Sequence, residues 1–566
     1  MSAQNRDDSA STFELLHRIG IALSAERDKE RLLEMILLEA KKLCHADGGT
    51  LYLRTDTDEL RFAIMRTDSL DIALGGTTGK AIQLPALPLR VDGKPNERNV
   101  ATCAAIRKAA FNIPDAYAAE GFDFSGTKIF DERNGFRSQS FLTIPLVNNE
   151  DEVIGVLQLL NAKDEESGET IPFSEEKQRI VEALASQAAI ALDNQLLLEA
   201  QKDLLESFIK LIASAIDAKS PYTGGHCERV PLLAQMLAEA ACDEENGKFE
   251  SFTLSKDEWY ELRIASWLHD CGKVVTPVHV MDKATKLETI HDRMQDVRSR
   301  FEILKRDSEI AYLKGIASGG DPEVLSREKS DVLKSLEEDL AFLESANRGG
   351  ECLSPDKKER IQQIGSREYE QAGTVRKLLS EDEVRNLQIS RGTLNDEERL
   401  VINEHIVQTL EMLGALPFPR NLSRVPEYAG GHHEKMDGTG YPKGIYAGDM
   451  SIPARIMAIA DVFEALTAQD RPYKSGKTLS ESVRIMGFMK KDNHLDPDLL
   501  DLFIRSGVYR KYGEKYLPRE LMDEVDEDAF YAIAPTAYSL PPEAERKSRF
   551  RNYLPEYARR IAEQKS

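Results

Sequence analysis

The feature that most limits the fold is a stretch from Ser174 to about Ala218 that reads as a single helix. Apolar residues recur at Ile180, Leu184, Ala188, Ala191, Leu192, Leu196, Leu204, Phe208, Leu211, Ala215 and Ile216, with neither glycine nor proline to interrupt them. At 1.5 Å per residue, ~45 residues span roughly 65 Å, more than one compact domain uses. A rod of this kind is expected to separate two units and to pair with a second copy of itself. Two ordinary helices meeting near Asn194 are the alternative reading.

The pattern differs on the two sides of the rod. From Thr12 to Leu192 an amphipathic helical opening (Leu15, Leu16, Ile19, Leu23, then Leu32, Leu33, Ile36, Leu37) gives way to short β-like runs at 49–53, 60–64, 140–146 and 153–160. The turn residues Asn148-Asn149-Glu150-Asp151 between the last two runs signal a hairpin. An α+β unit is expected over 12–192. After Pro221 β signals nearly vanish, and helical patterns run to about Arg510, so the second unit (217–510) is expected to be all-α. Within it, 285–395 is rich in charge and broken by Gly319-Gly320-Asp321-Pro322, as an inserted helical hairpin would be. Residues 511–566 read as a polar tail.

Lys+Arg 74 against Asp+Glu 97 leaves a net charge of −23. That balance argues against broad binding to nucleic acid or anionic lipid, but admits an anionic small ligand where cations or metals cluster locally. The six cysteines are scattered without a CxxC pair, as in a reducing compartment. With no long apolar run and a polar start, a cytoplasmic protein without a membrane span is expected.

Eight of the ten histidines lie between His226 and His494. His226 opens a helix and shares its buried stripe with Val230, Leu233 and Leu237. His269 and Asp270 fall at the end of a helix that begins near Asp257, with Gly272 read as its cap. A carboxylate there opposes the helix dipole unless cations sit beside it. His405 lies in the stripe Ile402, His405, Ile406, Thr409, Leu413. His432-His433-Glu434 precedes a glycine-rich loop that runs from Met436 to Pro442. Asp461 sits on a helix capped by Ser451, beside Met457, Ala458 and Ala465, where an unpaired carboxylate costs several kcal/mol. Taken alone, His226 and His405 read as core residues, whereas His269-Asp270 already points to metal and His432-His433 to a loop that meets a ligand. Together, five imidazoles and two carboxylates supply two divalent ions with four ligands each if Asp270 bridges. Such a pair stabilises the attacking and leaving oxygens of a phosphodiester displacement. Lys273, and Arg471 and Lys474 after the Asp461 helix, offer cations to phosphate.

These residues resemble the HD-GYP phosphodiesterases in order and type: His226, His269-Asp270-Cys-Gly-Lys273, His405, His432-His433-Glu434, Asp437-Gly-Thr-Gly440-Tyr441-Pro442 and Ala460-Asp461-Val-Phe-Glu-Ala-Leu466. The resemblance implies an all-helical domain that hydrolyses cyclic di-GMP first to linear pGpG and often on to GMP, with a non-haem iron or manganese centre. It implies one metal on His226, His269, Asp270 and Asp461 and another on Asp270, His405, His432 and His433. Asp270 and Lys273 would serve catalysis; Lys273, Gly440, Tyr441, Pro442, Arg471 and Lys474 would meet substrate. Members with three metals carry a glutamate four residues before the first histidine, where this chain has Tyr222, so two metals are expected. The 135 residues from Asp270 to His405 exceed the family's usual spacing, which marks 285–395 as an insertion.

The first unit resembles a GAF domain through Asn112-Ile-Pro-Asp115, Ser140-Phe-Leu-Thr-Ile-Pro145, Val153-Ile-Gly155 and Asn161. That implies a sensor for an unassigned small ligand, often dimeric. The expected protein is thus a GAF-regulated cyclic di-GMP phosphodiesterase. A non-hydrolytic cyclic-dinucleotide receptor and a phosphodiesterase for cyclic GMP-AMP stay open beside it.

Overall fold

A computed structural model describes the backbone of residues 3–219, 225–350, 352–468 and 476–547, with side chains from residue 14 onward. The chain divides into two compact units at Leu205/Glu206. One helix, Glu175–Lys219, runs unbroken through that point, so the alternative of two helices meeting at Asn194 does not hold.

In the first unit an antiparallel sheet has the order Ile72–Gly75, Glu59–Thr67, Ala46–Arg54, Val153–Lys163, Phe141–Val147, Phe111–Ile113. The expected hairpin is present, with Leu142 opposite Leu159 and Ile144 opposite Leu157. Helix Lys29–Cys44 starts where Asp28 accepts the amide hydrogen of Arg31. It buries Leu32, Leu33, Ile36 and Leu37 against the sheet and against Val181, Leu184, Ala188 and Leu192 of the long helix. Each fully buried leucine of this kind contributes about 1.5–3 kcal/mol. The other face is covered by helix Val100–Arg107, whose Ala101, Ala104 and Ala105 meet Tyr52, Leu60 and Val156.

The second unit is mostly helical. Its core joins helices His226–Cys242, Lys256–Leu268, Val425–Gly430, Ile452–Thr467, Leu479–Lys491 and Pro497–Arg505 through residues such as Leu233, Ile264, Tyr428, Ile459, Phe463 and Phe503. The boundary expected at Arg510 falls inside helix Val508–Tyr516. Tyr512 and Phe530 are buried in the same core, so apolar spacing continues past the point where polar composition suggested a tail.

Residues 285–395 have a core of their own, in which Leu287, Val297, Phe301, Leu336, Leu343, Ile361 and Leu387 meet. Helices Met294–Ala317 and Pro322–Asn347 flank the predicted break, with Asp321 capping the second and Pro322 at its first position. The segment is not purely helical. Strands Glu368–Gln371 and Thr374–Lys377 form a hairpin turned by Ala372 and Gly373, both with positive φ, a local signal too short to stand out in a charged stretch. No helix among the described residues is long and apolar enough to cross a membrane.

Candidate metal centre

Four helices and a loop bring the seven candidate ligands together. Helix Lys256–Leu268 begins with a capping box of Ser255 and Glu258 and ends at Leu268, with His269 at its C-cap. Asp270 then caps the 3-10 turn Cys271–Val275, so it lies just beyond the helix rather than in its last turn. Gly272 is not a left-handed cap. A Cβ there would collide with the carbonyl of His405 and with Thr409, so glycine lets the turn lie against helix Asp396–Ala415. Thr409 fastens that contact: its Oγ1 accepts from the Gly272 amide (2.9 Å) and donates to the His269 carbonyl (3.2 Å).

Nε2 of His226 lies 3.4 Å from Asp270 Oδ2 and 3.3 Å from Asp461 Oδ1. Nε2 of His269 lies 3.3 Å and 3.7 Å from the same two oxygens. The other oxygen of Asp270, Oδ1, lies 3.3 Å from Nε2 of His405. The His405 nitrogen in turn lies 3.1 Å from Nε2 of His433. The rings of His432 and His433 stand 4.2 Å apart, and Tyr441 stacks on His433 at 4.9 Å and 14°. Ligand atoms of His226, His269, Asp270 and Asp461 all fall within 4.8 Å of one another, as do those of His405, His432 and His433.

The loop after His433 is tied from within. Glu434, 1% exposed, accepts amide hydrogens from Lys443 (2.8 Å) and Ile445 (3.1 Å). Gly440 passes so close to the backbone of Glu434 and Lys435 that no Cβ would fit. Tyr441 donates its amide hydrogen to the His433 carbonyl at 3.2 Å, and Pro442 follows through a cis peptide bond.

Charge is divided unevenly. Burial works against protonation of His226 and His269, yet the carboxylates around them prevail. The pKa of His226 is held well above the ordinary imidazole value, and that of His269 is raised to about 9. Burial alone would raise Asp270 and Asp461. Lys273 and His269 beside Asp270, and His226 and His269 beside Asp461, instead hold both well below the usual carboxylate range. His432 is lowered to about 4 by burial and the charge of His269, and His433 is lowered well below the ordinary value by burial and its histidine neighbours. One group thus pairs carboxylates with raised imidazoles, whereas burial lowers both rings of the His432-His433 pair.

The donor set suits divalent metal. Nε2 of His226, His269 and His432 and Oδ1 of Asp270 are buried without a hydrogen bond. Leaving such atoms unsatisfied costs about 1–3 kcal/mol each. Imidazole nitrogen and carboxylate oxygen suit iron, manganese and zinc, and a cation coordinated by them would use these atoms.

Lys273 is ion-paired to Asp270. Tyr441 lies against His433, with Gly440 and Pro442 beside it in the same loop. Arg471, Lys474 and Tyr222 lie outside the described residues. Two supports have roles that sequence pattern alone does not reveal. Glu464 follows Asp461 by one helical turn, a spacing that places both on one face, and it meets Nδ1 of His226. Thr409 was visible only as part of an apolar stripe.

Fold and centre together define a chain that joins a GAF domain to an HD domain. Residues 28–192 match the GAF domain family and residues 381–499 the HD domain family. The HD match takes in His405, His432, His433 and Asp461, while His226, His269 and Asp270 precede the inserted segment. A 3'3'-cGAMP-specific phosphodiesterase 1 of Vibrio cholerae is 41% identical over 118 residues, 20% of this chain and 26% of that protein. A cyclic di-GMP phosphodiesterase of Pseudomonas aeruginosa is 35% identical over 119 residues, 21% of this chain and 28% of that protein. The chain thus spans about a quarter of the length of these curated relatives. The GAF domain of an Acinetobacter phosphoenolpyruvate-protein phosphotransferase covers 34% of this chain and 98% of its own, at 15% identity and a TM-score of 0.25.

Proposed function

We propose that the chain is an HD-GYP phosphodiesterase that hydrolyses cyclic di-GMP to pGpG, GMP or both at a centre of two iron or manganese ions. The observation that carries this reading is the placement of Asp270, whose Oδ2 faces His226 and His269 while Oδ1 faces His405. One carboxylate thereby serves both groups. His226, His269, Asp270 and Asp461 would hold one ion, and Asp270, His405, His432 and His433 the other. When bound, such ions supply Lewis acidity and a nucleophile at neutral pH.

The chain's own residues do the rest. The imidazoles fix the positions of their Nε2 atoms, and Tyr441 holds the His433 ring in plane. Lys273, a quarter exposed, keeps a cation beside Asp270 where a phosphate oxygen would arrive. Arg471 and Lys474 are assigned to the same task, and Gly440-Tyr441-Pro442 to the wall of the substrate site. The GAF domain over 12–192 is read as the sensor of a small ligand. The exposed face of Glu175–Lys219 is read as the seam of a homodimer that carries its signal.

A second substrate, 3'3'-cGAMP, is favoured by the 41% identity to the Vibrio cholerae enzyme. A receptor without turnover is disfavoured because all seven ligand positions are filled. Anaerobic assays of the full chain with Fe²⁺ or Mn²⁺, followed by chromatography of both dinucleotides, test these readings. Linear products are expected from the native chain and none from Asp270→Ala. Unchanged turnover in that variant overturns the assignment of Asp270.

A further inference from the structure

The imidazoles of the centre are not all held alike. His269, His405 and His432 each direct Nδ1 at the carbonyl oxygen three residues earlier, those of Ser266 (2.8 Å), Ile402 (2.5 Å) and Ala429 (2.6 Å). A carbonyl only accepts, so Nδ1 carries a proton and Nε2 is the nitrogen left to coordinate a cation in the centre. His226 is the first residue of its helix, so no carbonyl of that helix precedes it. Its Nδ1 meets Oε2 of Glu464 instead. Glu464 is 1% exposed and lies one turn beyond Asp461 on helix Ile452–Thr467. Its second oxygen, Oε1, accepts from Nε of Arg229 at 2.6 Å, and Arg229 lies one turn beyond His226. The guanidinium occupies one carboxylate oxygen and leaves the other for the imidazole.

We propose that Glu464, steadied by Arg229, is a positioning residue that sets the tautomer and ring plane of His226. Nε2 is thereby presented to a cation shared with His269, Asp270 and Asp461. The inference rests on the metal-centre reading and adds an asymmetry to it. The group that contains His405, His432 and His433 orients two of its rings through backbone carbonyls, whereas the first ring of the acidic group depends on a side chain from another helix. Partners of this outer kind typically contribute about 10–100-fold to metal affinity.

The test is calorimetric titration of the metal-free full chain with Mn²⁺, with manganese content measured after desalting. The native chain is expected to take two ions. Glu464→Met removes both acceptors at similar volume and is expected to weaken one site by about 10–100-fold, leaving the other within about twofold. Glu464→Gln combined with Arg229→Met restores one carbonyl acceptor and removes its competitor, so it is expected to recover most of the loss. Thermal midpoints in chelator establish that each variant is folded. Two unaltered sites in Glu464→Met overturn the proposal. So does equal weakening of both sites with a lowered metal-free midpoint, because packing alone produces that result. Hydrolysis is read separately. A native chain that binds two Mn²⁺ without cleaving either dinucleotide overturns the proposed activity and leaves the role of Glu464 to be decided by the titrations.

Discussion

Thr409 shows how closely single side chains assemble the centre. Its hydroxyl joins the turn after His269 to the helix that carries His405, across 137 residues of sequence. Thr409→Val keeps the shape and deletes the bond, leaving the buried Gly272 amide without its acceptor. The expected cost is about 1–3 kcal/mol, read as a lowered urea midpoint of the helical unit in chelator. Ligand types were legible at this scale, because an aspartate set among Met457, Ala458 and Ala465, or paired histidines before a glycine-rich loop, demands a partner. The fasteners were not. Thr409 and Glu464 are unremarkable in sequence, and their value comes from atoms that only tertiary packing brings near. Gly272 reads as a helix cap in the sequence but serves a close approach to His405 and Thr409, and both roles select glycine.

Among the elements, the long helix was the most legible, expected from Ser174 to Ala218 and found over Glu175–Lys219. Long periodic segments announce themselves, whereas the 3-10 turn Cys271–Val275 and the hairpin at 368–377 are set by their surroundings. The helix leaves Ile190, Leu197, Leu204 and Leu211 exposed by 42–63%, spaced by seven residues. A strict heptad of this kind matches a left-handed supercoil between two copies. Leu204→Lys with Leu211→Lys places charge on that seam and is expected to halve the mass in sedimentation equilibrium. A monomeric native chain would remove the dimer from the proposal.

At the scale of the whole molecule, the second unit gathers the candidate ligands from five separated stretches, and two carboxylates lie among them. Chelation is therefore expected to lower the thermal midpoint of the helical unit and to leave that of the GAF unit in place, as calorimetry of the full chain would show. Equal shifts in both transitions would deny the ions a local structural role. The order of motifs was readable along the chain, but their convergence was not, because the inserted segment with its own core stands between Asp270 and His405. That separation also bears on biosynthesis. A ribosome adding about 5–20 residues per second needs roughly 10–50 s to pass from His226 to Asp461. On the proposed reading, the nascent polypeptide displays a half-built chelating set for that interval, open to whichever cellular cation reaches it first.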